Sequence, residues 1–274
     1  MEIENKTRWH PAFCAAMELE LRENKKGLIY DTEHNLGSEP LRIDLLIIKK
    51  EPDEVVKNEI GTIFLGHNII EYKSPDDKVN IDTFYKVLSY ACLYKSDTGT
   101  VDEILDTDIT ISLVREQKPT KLLGQLAAKY TVVKRGEGIY QIDGMLFPMQ
   151  IIVTRELEKK THIWLKSLTR DIVQTEAEEL LEHCDSLHAD DVEYRQAKCV
   201  VNLVSDINED VFKRITIGGE KMSDELKYMI LPELKEKDAK LVEKDAMLAE
   251  KDAELANKDA EIERLRRELA AIRA

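Results

Sequence analysis

The rhythm of apolar and polar positions changes several times along this chain, and each change marks an element. A helical stretch over residues 11–23 gives way to apolar runs with strand character over residues 27–30, 41–50 and 68–73. Helical spacing returns over residues 80–95, where Phe84, Val87, Leu88, Ala91 and Leu93 form the packing side, and another strand is predicted over residues 108–115. Shorter strands follow near 131–134, 140–142 and 150–153, with Gly136, Gly138 and Gly144 marking turns.

From residue 171 to 231 the pattern is helical throughout. Val173, Ala177, Leu180, Leu181 and Cys184 recur at helical spacing, as do Ala197, Val200, Val201, Val204 and Ile207. The acidic run Glu176, Glu178, Glu179 and Glu182 reads as a solvated helix face. Beyond Pro232 a period of seven takes over: Leu234, Leu241, Leu248, Leu255, Ile262 and Leu269 share one heptad position, and neither Gly nor Pro interrupts them. The position three residues after these leucines is Lys244, Lys251 and Lys258 before it becomes Leu265 and Ile272, so the apolar seam closes only near the end. Self-association through this helix is expected, with a lone charged helix as the other reading. The rhythm thus divides the chain into an α/β region (1–165), a helical region (166–232) and a heptad-repeat helix (233–274).

Composition narrows the classes. With 274 residues, 43% apolar and 34% charged, and only 11 Gly and 7 Pro, the chain belongs with folded, helix-rich proteins and not with stapled miniature scaffolds. The net charge of −14 excludes a protein that grips nucleic acid through sheer positive charge, yet it leaves room for a metal-dependent site, which needs carboxylates. Residues 233–274 hold 12 acidic and 10 basic side chains, so the acidity belongs mainly to the body. Cys14, Cys92, Cys184 and Cys199 show no CxxC spacing, and the six histidines, His183 and His188 among them, fall in no metal-binding pattern. No segment approaches a membrane-spanning length of apolar residues, and the start of the chain lacks a secretory pattern. The expectation is a cytoplasmic protein without a membrane partner.

Charged residues inside strand text carry the candidate chemistry. Asp44 interrupts Leu41-Arg-Ile-Asp-Leu-Leu-Ile-Ile48, where a bare carboxylate is costly unless it is paired, metal-bound or at an open strand end. In Asn68-Ile-Ile-Glu-Tyr-Lys-Ser-Pro75, alternation turns Glu71 and Lys73 to one face and Ile70 and Tyr72 to the other. By itself Glu-x-Lys is an ordinary cross-strand charge pair on an edge strand. A strand-borne Asp before it, with apolar flanks and a following helix, sets this pair apart from an ordinary one. Gly136-Glu-Gly138 is too short for a phosphate loop and reads as a turn.

The order helix, Asp strand, Glu-x-Lys strand, helix, strand resembles the PD-(D/E)XK nuclease superfamily. The wider text, Pro40-Leu-Arg-Ile-Asp-Leu-Leu-Ile-Ile-Lys-Lys50 with Phe84-Tyr-Lys86, is similar to a bacterial branch labelled nuclease-family transposase, near the Rpn recombination-promoting nucleases. The resemblance covers roughly residues 8–165. It implies an α/β fold with a restriction-endonuclease-like αβββαβ core, here followed by the helical region and the long C-terminal helix or coiled coil. It also implies Mg²⁺ or Mn²⁺ held by Asp44 and Glu71, with Lys73 orienting or deprotonating a water. Many members add a glutamate from the first helix, for which Glu20 is preferred over Glu18; the two lie about 200° apart around a helix, so at most one faces the site. The motif departs from the family's pattern in that Ile43, and not a proline, precedes Asp44. The expected activity is hydrolysis of phosphodiester bonds, with DNA as partner. Lys86 and Tyr85 are candidate nucleic-acid contacts. The competing expectation is a nuclease-like core with a weakened site, organised into an assembly by its tail; transposition proper is a lesser third.

Overall fold

In a computed structural model the described residues are 2–32, 45–187, 191–218, 222–232, 234–245, 247–248, 250–251, 254–255 and 258, with side chains described from Trp9 onward in the first helix. The chain separates into two compact units, Met1–Ile217 and Gly218–Ala274. The division therefore falls at residue 217, inside the expected helical region, and the helices between 174 and 217 belong to the same unit as the sheet.

The first unit opens with helix α1 (Glu2–Glu20). The sequence pattern starts this helix at Pro11; here Pro11 lies inside the helix, where it forfeits one backbone hydrogen bond without ending it. Strands β1 (Leu28–Thr32), β2 (Leu45–Lys50) and β3 (His67–Lys73) follow, then α2 (Ile81–Ser96) and β4 (Ile109–Arg115). Helix α3 (Thr120–Ala127), β5 (Thr131–Gly136), β6 (Ile139–Asp143), β7 (Met149–Val153) and the short α4 (Ile163–Lys166) come next. Helices α5 (Gln174–Asp185), α6 (Val192–Ile207) and α7 (Glu209–Gly218) complete the elements of the body. Residues 41–44, the first part of the strand expected over 41–50, lie outside the described residues.

The strands form one seven-stranded mixed sheet in the order β1-β2-β3-β4-β7-β6-β5. β3, β4 and β7 are mutually parallel and the other pairings antiparallel. α2 makes the crossover from β3 to β4, as a parallel pair requires. Its start is fixed by Asn80, whose side chain accepts from Asp82 N and Thr83 N at 3.0 Å each, while Thr83 Oγ1 accepts from Asn80 N at 3.4 Å. At the β5–β6 turn Gly138 has φ +72°, and a Cβ there would stand 2.5 Å from the Val153 carbonyl, so only glycine lets the hairpin close against β7.

Alternation gives the sheet two apolar faces. On one, Ile47, Ile69, Ile111, Leu113, Met149 and Ile151 pack with Phe84, Val87 and Ala91 of α2 and Leu122 and Leu126 of α3. The other face meets α1: Phe13, fully buried, stacks on Tyr72 with ring centroids 4.4 Å apart and planes 11° apart. α6 and α4 pack on α1 in turn. Asn68, also fully buried, ties three strands together: its amide donates to Ile48 O (2.9 Å) and Leu65 O (2.7 Å) and accepts from Leu65 N (2.8 Å) and Thr110 Oγ1 (2.6 Å).

In the second unit, helix α8 (Asp224–Ile230) is capped by Ser223, and residues 234–245 are helical, as are the described positions from 247 to 258. The heptad leucines Leu241, Leu248 and Leu255 are 55%, 58% and 58% exposed.

Candidate functional site

Glu71 and Lys73 stand at the carboxyl end of β3, where strand alternation puts them on the α2 side, two and four residues beyond the core residue Ile69. Glu71 is 3% exposed. Its carboxylate forms an ion pair with the Lys73 ammonium, which keeps partial access to solvent. A carboxylate buried to this degree requires a cation, and Lys73 supplies it.

On one side of β3 the register partner of Glu71 is Leu45, the first described residue of β2. Asp44 is covalently next to it and lies outside the described residues. On the other side the register partner of Lys73 is Arg115, the last residue of β4. Parallel neighbours lie about 4.8 Å apart, so a second cation stands beside Lys73 on the same face. Burial holds the Arg115 guanidinium below its ordinary range, against the opposing pull of Glu116 and Asp77. Asp77 accepts from Ser74 N (3.0 Å) and Ser74 Oγ (2.8 Å), fixing the turn that leads out of β3.

The structure gives Glu20 a different set of neighbours. Its side chain is fully buried, and its two oxygens take His162 Nδ1 at 3.1 Å and Leu165 N at 3.1 Å. His162 Nε2 meets Glu59 Oε1 at 2.9 Å, so the ring joins two carboxylates. No hydrogen bond or ion pair links Glu20 to Glu71 or Lys73 among the described residues. Glu18, the other candidate on α1, is hydrogen-bonded to Gln196 of α6, and burial raises its pKa. Lys86 and Tyr85 are both exposed on α2; the Lys86 ammonium lies 5.6 Å from the Tyr90 ring centroid, and Tyr85 OH is 3.4 Å from Lys129 Nζ.

A hard divalent cation takes oxygen ligands, and within the expected set Glu71 is the described carboxylate whose chemistry and strand-end position fit one. Among the described residues no group of three His, Cys, Asp or Glu side chains gathers as a ligand set. Glu20 does not fit as a ligand while His162 and Leu165 occupy its oxygens. The sequence reading missed Arg115 and His162. Arg115 had a usable signal, a charge ending an apolar strand that a helical crossover must place beside the Glu-x-Lys strand. His162 had none, because its partners lie 142 and 103 residues away.

Comparisons with family models, with curated proteins and with solved structures return no match. Among the described residues, no helix is long and apolar enough to cross a membrane.

Proposed function

We propose that this chain is a metal-dependent phosphodiesterase of the PD-(D/E)XK kind, acting as an endonuclease on DNA, with Asp44, Glu71 and Lys73 as its working residues. One observation carries the reading: a buried Glu71–Lys73 pair at the carboxyl end of a central strand, flanked by the strand that Asp44 immediately precedes. The run α1, β1, β2, β3, α2, β4, with β1, β2 and β3 antiparallel and β3 and β4 parallel, agrees with an αβββαβ core.

Mg²⁺ or Mn²⁺ at Asp44 and Glu71 would supply an acidified water and offset charge on the phosphate. Glu71 gives one carboxylate arm and is already desolvated, which strengthens its attraction for a cation. Lys73 holds an ammonium beside that arm, where it orients a nucleophilic water or stabilises negative charge on the phosphoryl oxygens. Strand pairing sets Leu45, the residue after Asp44 in sequence, opposite Glu71.

The test is cleavage of supercoiled plasmid and of a labelled single strand with Mg²⁺, Mn²⁺ or EDTA, comparing the native protein with Asp44→Asn and Lys73→Met. Metal-dependent cutting abolished by both substitutions supports the enzyme and its site together. No cutting by the native protein favours a second reading, an assembly protein with a weakened nuclease-like core. The exposed apolar positions Leu241, Leu248 and Leu255, one heptad apart on the tail helix, favour that alternative and suit self-association in either case.

A further inference from the structure

We infer that Arg115 is an anion-binding residue that holds a phosphate group of the nucleic-acid strand beside Lys73. The identity of the ligand rests on the phosphodiesterase reading; the anion site itself rests on the geometry of β3 and β4.

Three observations carry it. First, Lys73 and Arg115 are register partners on adjacent parallel strands, so two cations share one face at the same strand end. Glu71 is ion-paired with Lys73, and no ion pair joins Arg115 to an acid among the described residues. Like charges directly opposite in a sheet are destabilising, so this arrangement carries a cost that a bound anion removes. Second, Arg115 makes no side-chain hydrogen bond or ion pair among the described residues, and its Nε is buried without an acceptor. A guanidinium offers five N–H donors in a planar fork suited to two oxygens of one phosphate, and it is never deprotonated in proteins, so an external oxyanion can supply the acceptor that the described residues do not. Third, the nearby acids Glu116 and Asp77 act on the Arg115 charge only at a distance, while their hydrogen bonds and ion pairs go to other groups. Glu116 accepts from Thr169 Oγ1 and lies 3.8 Å from Arg155 Nε, Asp76 is paired with Arg170, and Asp77 holds the Ser74 turn. By strand register Arg115 stands on the same sheet face and at the same strand end as Lys73.

Position in the fold agrees. Ligands of open α/β sheets bind outside the carboxyl ends of parallel strands, which is where both cations stand. The body of the chain is strongly acidic, so a strand of nucleic acid is repelled by most of its surface and needs a local cationic pair to dock. Lys73 and Arg115 provide one next to the carboxylate that would hold the metal.

The experiment measures binding of a fluorescein-labelled DNA oligonucleotide by anisotropy, in EDTA, across a salt series, for the full chain and its Arg115→Gln and Arg115→Lys variants. Arg115→Gln should weaken binding about tenfold and reduce the slope of log K against log salt by about one, with Arg115→Lys keeping the slope and part of the affinity. The thermal midpoint of Arg115→Gln should equal or exceed that of the native protein, because a half-buried cation beside Lys73, with its Nε unsatisfied, has been removed. Unchanged affinity and slope, or no binding by the native protein, would overturn the inference. So would a lowered midpoint, which would make Arg115 a structural residue. Cleavage with Mn²⁺ is read separately: binding that depends on Arg115 without any cutting by the native protein leaves the anion site standing and removes the enzyme.

Discussion

The buried bridge Glu20–His162–Glu59 yields a stability change whose size and pH dependence both follow from geometry. Each ring nitrogen faces a carboxylate, so both bonds are donated only when the imidazole is doubly protonated. Burial by itself lowers the pKa of His162, but the hydrogen bond and charge of Glu20, reinforced by Glu59, outweigh it and the net direction is upward. A group raised on folding stabilises fully below its unfolded value, about 6.5 for histidine, and loses that contribution as pH rises through its folded value. Replacing His162 with Gln removes the charge and keeps at most one neutral hydrogen bond. A charge-assisted bond contributes about 1.5–3 kcal/mol, and the Glu59 side is discounted because Glu59 is 43% exposed, so the loss is about 2–3 kcal/mol. For a body of this size that lowers the melting temperature by roughly 5–10 °C at about pH 6. Urea unfolding of native protein and His162→Gln at several pH values between about 6 and 9 measures it, and the difference should shrink as pH rises. A difference that is constant or grows with pH would refute the doubly protonated bridge.

Two further outcomes follow from packing and from the tail. Asn68→Ala leaves Leu65 N, Thr110 Oγ1 and two carbonyls of the β2–β3–β4 junction without their partner, and should cost about 3 kcal/mol or more in the same urea assay; a loss under about 1 kcal/mol would mean that the strands are held without this amide. Changing Leu241, Leu248 and Leu255 together to Gln should convert a self-associating chain to a monomer in sedimentation equilibrium, whereas a monomeric native protein would leave the tail as a lone charged helix.

Much of the α/β order was legible because its signals are local. The β3 and α2 segments carried clear periodicity, and observed β3 extends the expected strand by a single residue, His67. The shared face of Glu71 and Lys73 followed from alternation alone. What the sequence hid were relations across long separations. Helix α3 is a short apolar segment between strands whose type periodicity does not fix, and α4 is a single turn that acquires its place by packing on α1. Glu20 was a candidate only through the resemblance, which adds a glutamate from the first helix; its engagement with His162 depends on a ring 142 residues away, which no local pattern announces. That α6 packs directly on α1, within one unit spanning Met1–Ile217, was likewise a long-range relation without a local signal.

The most direct test of the central claim is Mn²⁺ binding by titration calorimetry to the native chain and to Asp44→Asn, Glu71→Gln and Glu20→Gln. If Asp44 and Glu71 share a cation at the end of β3, the native protein and Glu20→Gln bind Mn²⁺ with one site per chain and the other two variants lose it. Binding that survives both Asp44→Asn and Glu71→Gln, or no binding by the native chain, would contradict a metal centre at the Glu71–Lys73 pair.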